Sequence, residues 1–122
     1  TQGAWLYLTD TVDGAGVHAL VDNVPFAVGL WQHVAITVDA AGNARIYRNG
    51  LQSASAVLSR PTNVTRIQNR IGNSVWNRPC PGALDDVRVY NPALCAGDVL
   101  DLYSAGLGTV PGVRIIKWIE LQ

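Results

Sequence analysis

A cluster of side chains that could bind a ligand lies in a proline-bounded stretch of the chain. Trp76 occurs there together with Asn73, Asn77 and Arg78. An exposed indole can stack on a sugar ring, while amides and a guanidinium can hydrogen-bond to hydroxyl or carboxylate groups. These four residues are therefore the candidate ligand-binding site. In the alternative interpretation Trp76 folds back over the hydrophobic core, because tryptophan is usually buried over most of its area.

Asp85 and Asp86 form the only adjacent acidic pair in the chain. Paired carboxylates can hydrolyse glycosidic bonds as acid and base. Neighbouring residues on one strand point to opposite faces, however, so these two carboxylates would not flank one bond. The structural alternative is that one of them hydrogen-bonds to loop backbone or to a nearby arginine. The pair therefore does not predict an enzyme.

The two histidines, His18 and His33, are predicted to have structural roles. No serine or cysteine stands in an evident position to form a nucleophile–base pair with His33. We expect His33 on a strand face, packed beside Trp31. Trp5 and Trp31 are both expected in the hydrophobic core.

The chain contains two cysteines, Cys80 and Cys95. A strand predicted over residues 83–90 would hold them far apart, whereas a disulfide needs Cα atoms within about 7 Å. Free thiols are the prediction, although a chain that doubles back would allow a disulfide. Two cysteines also lack the number and spacing of a zinc site.

The composition is typical of a single globular domain without net charge. The chain has 122 residues, of which 48% are hydrophobic and 15% charged, and nine basic residues balance nine acidic ones. A neutral chain offers no basic surface for nucleic acid or anionic lipid. No apolar run approaches the length of a membrane span. Nucleic-acid binding and a membrane span are therefore not predicted.

Short strands separated by turn residues dominate the sequence. The strongest strand prediction covers residues 31–39, in which apolar side chains recur at every second position. Asn49 and Gly50 predict a type I′ hairpin turn, because both central positions of that turn need positive φ. A further strand is predicted over residues 83–90, ahead of an Asn-Pro pair.

One short helix and a last strand complete the predicted elements. Residues 96–104 place apolar side chains at helical spacing, and Gly106 is a suitable C-terminal stop. Residues 113–121 predict a strand with apolar side chains on both faces. Seven or eight strands with one short helix favour an all-β fold, an antiparallel two-sheet sandwich or jelly roll.

Two segments carry motifs that are specific only in combination. The first is GLWQHVAITVD at residues 29–39, followed by IYRNG at residues 46–50. The second is IGN at residues 71–73, followed by GALDDVRVYN at residues 82–91. Together they resemble the core and closing motifs of laminin-G-like domains, which have the concanavalin A-like jelly-roll fold. The similar stretch runs from about residue 29 to residue 103.

The resemblance implies a binding module and not an enzyme. Glycosidases of this superfamily carry an E-x-D-x-E strand, which this sequence lacks. By resemblance, Asp85 occupies the place of a carboxylate that often holds a structural calcium ion, so calcium is the one cofactor considered. One carboxylate cannot supply the six to eight oxygen ligands of Ca²⁺. Cys95 stands where members usually have a helix-capping serine, and we expect the helix to fray there.

Members of the family usually have a further strand or two before the point at which this chain starts. We expect residues 109–122, an unusual extension, to take the position of those strands in the sheet, either in the same chain or in a partner chain. The predicted organisation is a laminin-G-like sandwich at residues 1–108 and an extension strand at residues 109–122. The extension could also form a homodimer through residues 113–121.

The predicted function is non-catalytic recognition or adhesion, with a carbohydrate or a protein as ligand. The expected location is extracellular or on the cell surface. The alternative is a structural or assembly domain of a larger extracellular protein, without a small-molecule ligand. Because function does not follow from fold alone, an exposed side-chain cluster is needed to choose between them.

Overall fold

The computed structural model of the chain describes residues 6–11, 17–58, 65, 70–72, 81–106 and 120–121. These residues form seven short strands and one helix. In chain order the elements are β1 (Leu6–Thr11), β2 (Val17–Asp22), β3 (Val34–Val38), β4 (Asn43–Arg48), β5 (Leu51–Val57), β6 (Gly82–Ala83), α1 (Ala96–Gly106) and β7 (Glu120–Leu121). A mostly-β fold with one short helix agrees with the prediction.

All strand pairs in the described part of the chain are antiparallel. β1 pairs with β2, β4 lies between β3 and β5 in a three-stranded sheet, and β6 pairs with β7. In the pairs β1–β2, β3–β4 and β4–β5 two to five residues separate the strands, which suits antiparallel pairing, since parallel strands need long crossovers. The antiparallel sheet is therefore present as predicted, whereas the two-sheet sandwich stays a prediction.

The turn between β4 and β5 has the predicted backbone geometry. Asn49 and Gly50 have φ angles of 47° and 80°, which is the positive range that a type I′ turn requires. A Cβ atom at Gly50 would also lie only 2.9 Å from side-chain carbons of Leu100 and Tyr103 in α1. Glycine at this position therefore permits both the turn and the close approach of the helix.

The hydrophobic core lies on one face of the three-stranded sheet. Ala44 and Ile46 of β4 are fully buried there, and Leu20 of β2 and Phe26 pack with them. Leu58 completes the cluster, and valines of β3 and alanines of β5 pack around it. Alternate residues of a strand share a face, so the pattern of β4 places Ala44 and Ile46 together.

The N-terminus of α1 is capped, contrary to the expectation that it frays. The backbone N–H of Asp98 donates to the Cys95 sulfur at 3.5 Å, and the backbone N–H of Cys95 donates to the Asp98 carboxylate at 2.9 Å. This reciprocal pair is a capping box in which a thiol replaces the usual hydroxyl. The helix ends at Gly106, two residues later than predicted. No helix in the described part of the chain is long and apolar enough to span a membrane.

The prediction of a strand over residues 83–90 was wrong for most of its length. Only Gly82–Ala83 is a strand, and residues 84–90 have no strand pairing. Asp86 has a φ of 51°, which is incompatible with a regular strand. The Asp85 carboxylate accepts a hydrogen bond from the Asp86 N–H at 2.8 Å, so local side-chain bonding stabilises the irregular backbone.

Candidate functional site

The predicted ligand cluster of Asn73, Trp76, Asn77 and Arg78 lies outside the described residues. Its role in ligand binding therefore stays a prediction. Cys80 also lies outside, whereas Cys95 is a free and exposed thiol. The described residues offer two other features, an exposed apolar loop and a cleft beside β3.

Asp85 and Asp86 form the local bonds that the structural alternative foresaw. Asp85 accepts from the Asp86 backbone, and both carboxylate oxygens of Asp86 accept from the Arg88 guanidinium at 2.8 Å. No group of three His, Cys, Asp or Glu side chains that could hold a metal occurs in the described part of the chain. Calcium at Asp85 stays a prediction that would need oxygen ligands from other residues.

His33 is half-buried and fixed by both backbone and ring contacts. Its N–H donates to the Asn49 side-chain oxygen at 3.0 Å, and its carbonyl accepts from the Asn49 N–H at 2.9 Å. Its ring lies 5.9 Å from the ring of Tyr103, and Trp31, the expected neighbour, is exposed. Burial lowers the pKa of the His33 imidazole, although the nearby Asp86 carboxylate offsets part of that effect. The ring is therefore neutral at pH 7.

Residues 23–31, which we call the apolar loop, present large hydrophobic side chains to solvent. Val24, Val28 and Leu30 are each more than half exposed, and Trp31 is 41% exposed. The prediction that Trp31 lies in the core was therefore wrong. Single exposed apolar residues are ordinary, but here four of them fall within nine consecutive residues, and exposed apolar surface that is concentrated in one place marks interaction sites.

A buried ion pair anchors the start of the apolar loop. The Asp22 carboxylate is 1% exposed and pairs with Arg48, while the Ser53 hydroxyl and the Val24 N–H each donate to it at 3.0 Å. Burial alone would raise the pKa of the Asp22 carboxyl, but the hydrogen bonds from Val24, Arg48 and Ser53 outweigh it and hold that pKa below its ordinary value. Asp22 is therefore ionised at neutral pH.

Arg48, which lies on β4, also holds the backbone of the apolar loop. The Arg48 guanidinium donates to the Val24 carbonyl and, at 3.4 Å, to the Pro25 carbonyl. It also lies 4.2 Å from the centre of the Phe26 ring, in a cation–π contact. Phe26 is itself buried in the core. One side chain of β4 thus fixes three consecutive residues of the apolar loop.

A buried amide closes the far end of the apolar loop. The Gln32 side chain donates to the Ala27 carbonyl at 2.9 Å and accepts from the Ala27 N–H at 3.4 Å. Gln32 is 8% exposed, so water does not compete for these bonds. Gly29 adopts a φ of 75° between them. The loop is therefore held at both ends while its apolar side chains stay outside.

A cleft of about 790 Å³ lies beside β3, which is an edge strand in the described part of the sheet. β3 lines it together with residues 84–94 and the C-terminal turn of α1. Ile36, Val87 and Val89 expose apolar surface there. Thr37 is only 7% exposed, yet its hydroxyl has no hydrogen-bond partner among the described residues. The cleft is thus largely apolar, with one buried polar group left unsatisfied.

Sequence reasoning missed the apolar loop because its signal is weak and local. The stretch VPFAVGL before Trp31 could have suggested it, since an apolar run containing Pro and Gly fits neither a strand nor a helix. The anchors, however, come from residues far away in sequence. Arg48 contacts residues that precede it by more than twenty positions, and periodicity does not show such contacts.

Comparison with known families gives a match over most of the chain. A family model of laminin-G type, described as the concanavalin A-like lectin/glucanases superfamily, matches residues 1–100. The resemblance carried by the sequence motifs is therefore confirmed. No curated protein and no solved structure gives a significant match to the chain.

Proposed function

Because the chain belongs to the concanavalin A-like lectin/glucanases superfamily as a laminin-G-like domain, we propose that it is a non-catalytic recognition module. Its ligand is a protein, bound through the apolar loop at residues 23–31. The observation that carries this proposal is a loop with four exposed hydrophobic side chains, anchored at both ends by buried polar groups. Family membership is compatible with either a binding module or a structural module. The exposed apolar loop favours the binding module.

The anchoring of the apolar loop favours specific recognition. A ligand that orders a flexible segment must offset its lost conformational entropy, whereas a loop already fixed by Arg48 and Gln32 avoids much of that cost. Binding hot spots are enriched in tryptophan and lie among apolar neighbours that exclude water. Trp31 beside Leu30 has this composition and exposure.

The chemistry of the loop favours a protein over a carbohydrate. A sugar site needs several polar side chains to bond hydroxyl groups, in addition to an aromatic surface. Asn23 is the only polar side chain within residues 23–31. The neighbouring Asp22, Arg48 and Gln32 already bond to the protein itself. An apolar partner surface is therefore the better complement.

The acidic pair supports the non-catalytic assignment. Both Asp86 oxygens accept from the Arg88 guanidinium, so this carboxylate is already bonded within the chain. Asp85 lies next to Asp86 in sequence and bonds to its backbone. Since laminin-G-like domains typically act outside the cell, we place this recognition in an extracellular or cell-surface setting.

The proposal is tested by probing the whole chain against an array of secreted ectodomains and, in parallel, a glycan array. We expect an ectodomain to bind, and Trp31→Ala to weaken that binding by at least tenfold, as for a hot-spot residue. Val28→Asp should weaken it similarly. Trp76→Ala tests the sequence-predicted cluster in the same assay and should leave ectodomain binding unchanged.

Val57→Asp provides the matched control. Val57 is 72% exposed, against 71% for Val28, and it pairs with Asn43 at the end of β5 away from Arg48. The control should bind like the unmodified chain. If Val28→Asp and Val57→Asp weakened ectodomain binding equally, the apolar loop would not be the binding surface. Binding to glycans alone would identify a carbohydrate module, and no binding on either array would favour a structural domain.

A further inference from the structure

The outer edge of β3 presents backbone groups to the cleft beside it. The Asn49 N–H donates to the His33 carbonyl at 2.9 Å, so His33, which directly precedes β3, bonds towards β4. Residues of an antiparallel strand direct their backbone groups alternately to one neighbour and to the other. The residues of β3 that point away from β4, into the cleft that they line, are therefore Val34, Ile36 and Val38.

The hydrophobic core is open at the same edge. Ile36 lies opposite Ile46 of β4, and directly opposite side chains lie on the same face of a sheet. Ile46 is fully buried, whereas Ile36 is 42% exposed. The next residue, Thr37, is buried, and its hydroxyl has no hydrogen-bond partner among the described residues. A further strand beside β3 would pair the backbone groups of this edge and cover Ile36.

The cleft has the length and the lining for one extended segment. β3 has five residues, which span about 17 Å in an extended chain, and all of them line the cleft. Residues 84–94 also line it and include the exposed side chains of Val87 and Val89. Because residues 84–90 have no strand pairing, this part of the lining offers apolar contacts and not a regular backbone ladder. A segment in the cleft would therefore form its backbone hydrogen bonds with β3.

The charges of the lining indicate which segment fits. The charged side chains of the cleft include Asp85, Asp86 and Arg88, and Arg88 pairs with Asp86 at 2.8 Å, which leaves Asp85 without a cation among the described residues. Burial lowers the pKa of His33 and the Asp86 carboxylate opposes that effect, so Asp86 lies near the residue that precedes β3. In an antiparallel pair, the C-terminal end of the added segment lies at this end of β3. A lysine or arginine there would meet the acidic pair, and opposite charges on neighbouring strands stabilise pairing.

We propose that the cleft beside β3 binds an extended segment of another protein as an added antiparallel strand. The segment carries apolar side chains and a lysine or arginine at its C-terminal end. Its backbone pairs with Val34, Ile36 and Val38, which gives affinity, while the apolar lining and Asp85 select its side chains. Antiparallel pairing is the more stable of the two directions. This surface is separate from the apolar loop and adds a second mode of recognition to the function proposed above.

Strand addition is tested on the unmodified full chain with a fluorescent probe peptide, acetyl-Thr-Val-Thr-Val-Thr-Val-Lys-amide, by fluorescence anisotropy. Successive N–H groups of an added strand point alternately to β3 and away from it. N-methylation of the central valine and, in the matched peptide, of the central threonine therefore removes one inward and one outward donor. We expect the two affinities to differ by about tenfold or more, with the tighter peptide binding like the probe. Equal affinities of the two peptides, or no saturable binding of the probe up to about 1 mM, would overturn the proposal.

The charge of the segment is tested by Asp85→Lys, which should weaken binding of the probe by about tenfold. Asp101→Lys is the matched control, because Asp101 is exposed on α1 and is not part of the cleft lining. Equal effects of the two changes would overturn the placement of the cationic end. Trp31→Ala should weaken ectodomain binding and leave binding of the probe unchanged, so failure of this proposal is distinguishable from failure of the proposed function.

Discussion

Replacing Arg48 by methionine should destabilise the domain strongly, because it leaves the buried Asp22 carboxylate without its cation. The Arg48 side chain is 10% exposed and that of Asp22 is 1% exposed, so water cannot replace the lost partner. Removal of one partner from a buried ion pair costs about 3–5 kcal/mol. Asp22 keeps its bonds from Val24 and Ser53, and we therefore expect about 3 kcal/mol, at the lower end.

The assay is urea unfolding at pH 7, followed by tryptophan fluorescence. Arg45→Met is the matched control on the same strand, since Arg45 and Asp39 lie 3.7 Å apart and are each more than a third exposed. A surface pair of this kind contributes less than about 1 kcal/mol. If Arg48→Met lowered the free energy of unfolding no more than Arg45→Met, the stabilising role of the buried Asp22–Arg48 pair would be refuted. The double variant Asp22→Asn with Arg48→Met should cost less than the sum of the single changes.

The stability that the buried Asp22–Arg48 pair contributes should fall as the pH is lowered. The pKa of Asp22 is lower in the folded than in the unfolded state, because hydrogen bonds stabilise its carboxylate despite burial. Its contribution to stability is therefore complete above the unfolded pKa, about 4, and declines as pH falls through the folded pKa. The stability difference between the unmodified chain and Arg48→Met should narrow below pH 4. A difference that stays constant from pH 7 to pH 2.5 would contradict this assignment.

Three further predictions concern the helix, the turn and the candidate metal site. Cys95→Ala should lower stability by about 1 kcal/mol through loss of the capping box, while Cys95→Ser should preserve it, as measured by urea unfolding. Gly50→Ala should lower the free energy of unfolding more than Gly29→Ala does, as measured by the same urea unfolding. Both glycines have positive φ, but only a Cβ at Gly50 would approach α1 to 2.9 Å; equal costs would contradict this difference. Calorimetric titration with Ca²⁺ tests Asp85, and binding that Asp85→Asn leaves unchanged would exclude it as a ligand.

Elements fixed by local chemistry could be predicted from the sequence. The Asn49-Gly50 turn follows from the backbone preferences of two adjacent residues, and the helix from a short periodic pattern with a glycine stop. The hairpins around β4 follow from alternating apolar residues. Each of these predictions depends on a few neighbouring residues, and the structure confirms them.

Features that depend on distant contacts could not be predicted in this way. Trp31 is exposed because Arg48 and Gln32 hold the apolar loop in a path that turns its side chains outward. Residues 84–90 alternate like a strand, but Asp86 adopts positive φ and binds Arg88. A side chain's type indicates its preference for burial, whereas its exposure is set by partners that periodicity does not show.

The central claim, recognition through the apolar loop, is tested most directly by mapping the ligand contact on the chain. An isotope-labelled full chain would be titrated with the ectodomain selected on the array, and amide shifts and cross-saturation recorded by NMR. We predict that the largest effects fall on residues 23–32. Effects concentrated instead on residues 73–78, around Trp76, with residues 23–32 unchanged, would contradict the claim and favour the ligand site predicted from sequence.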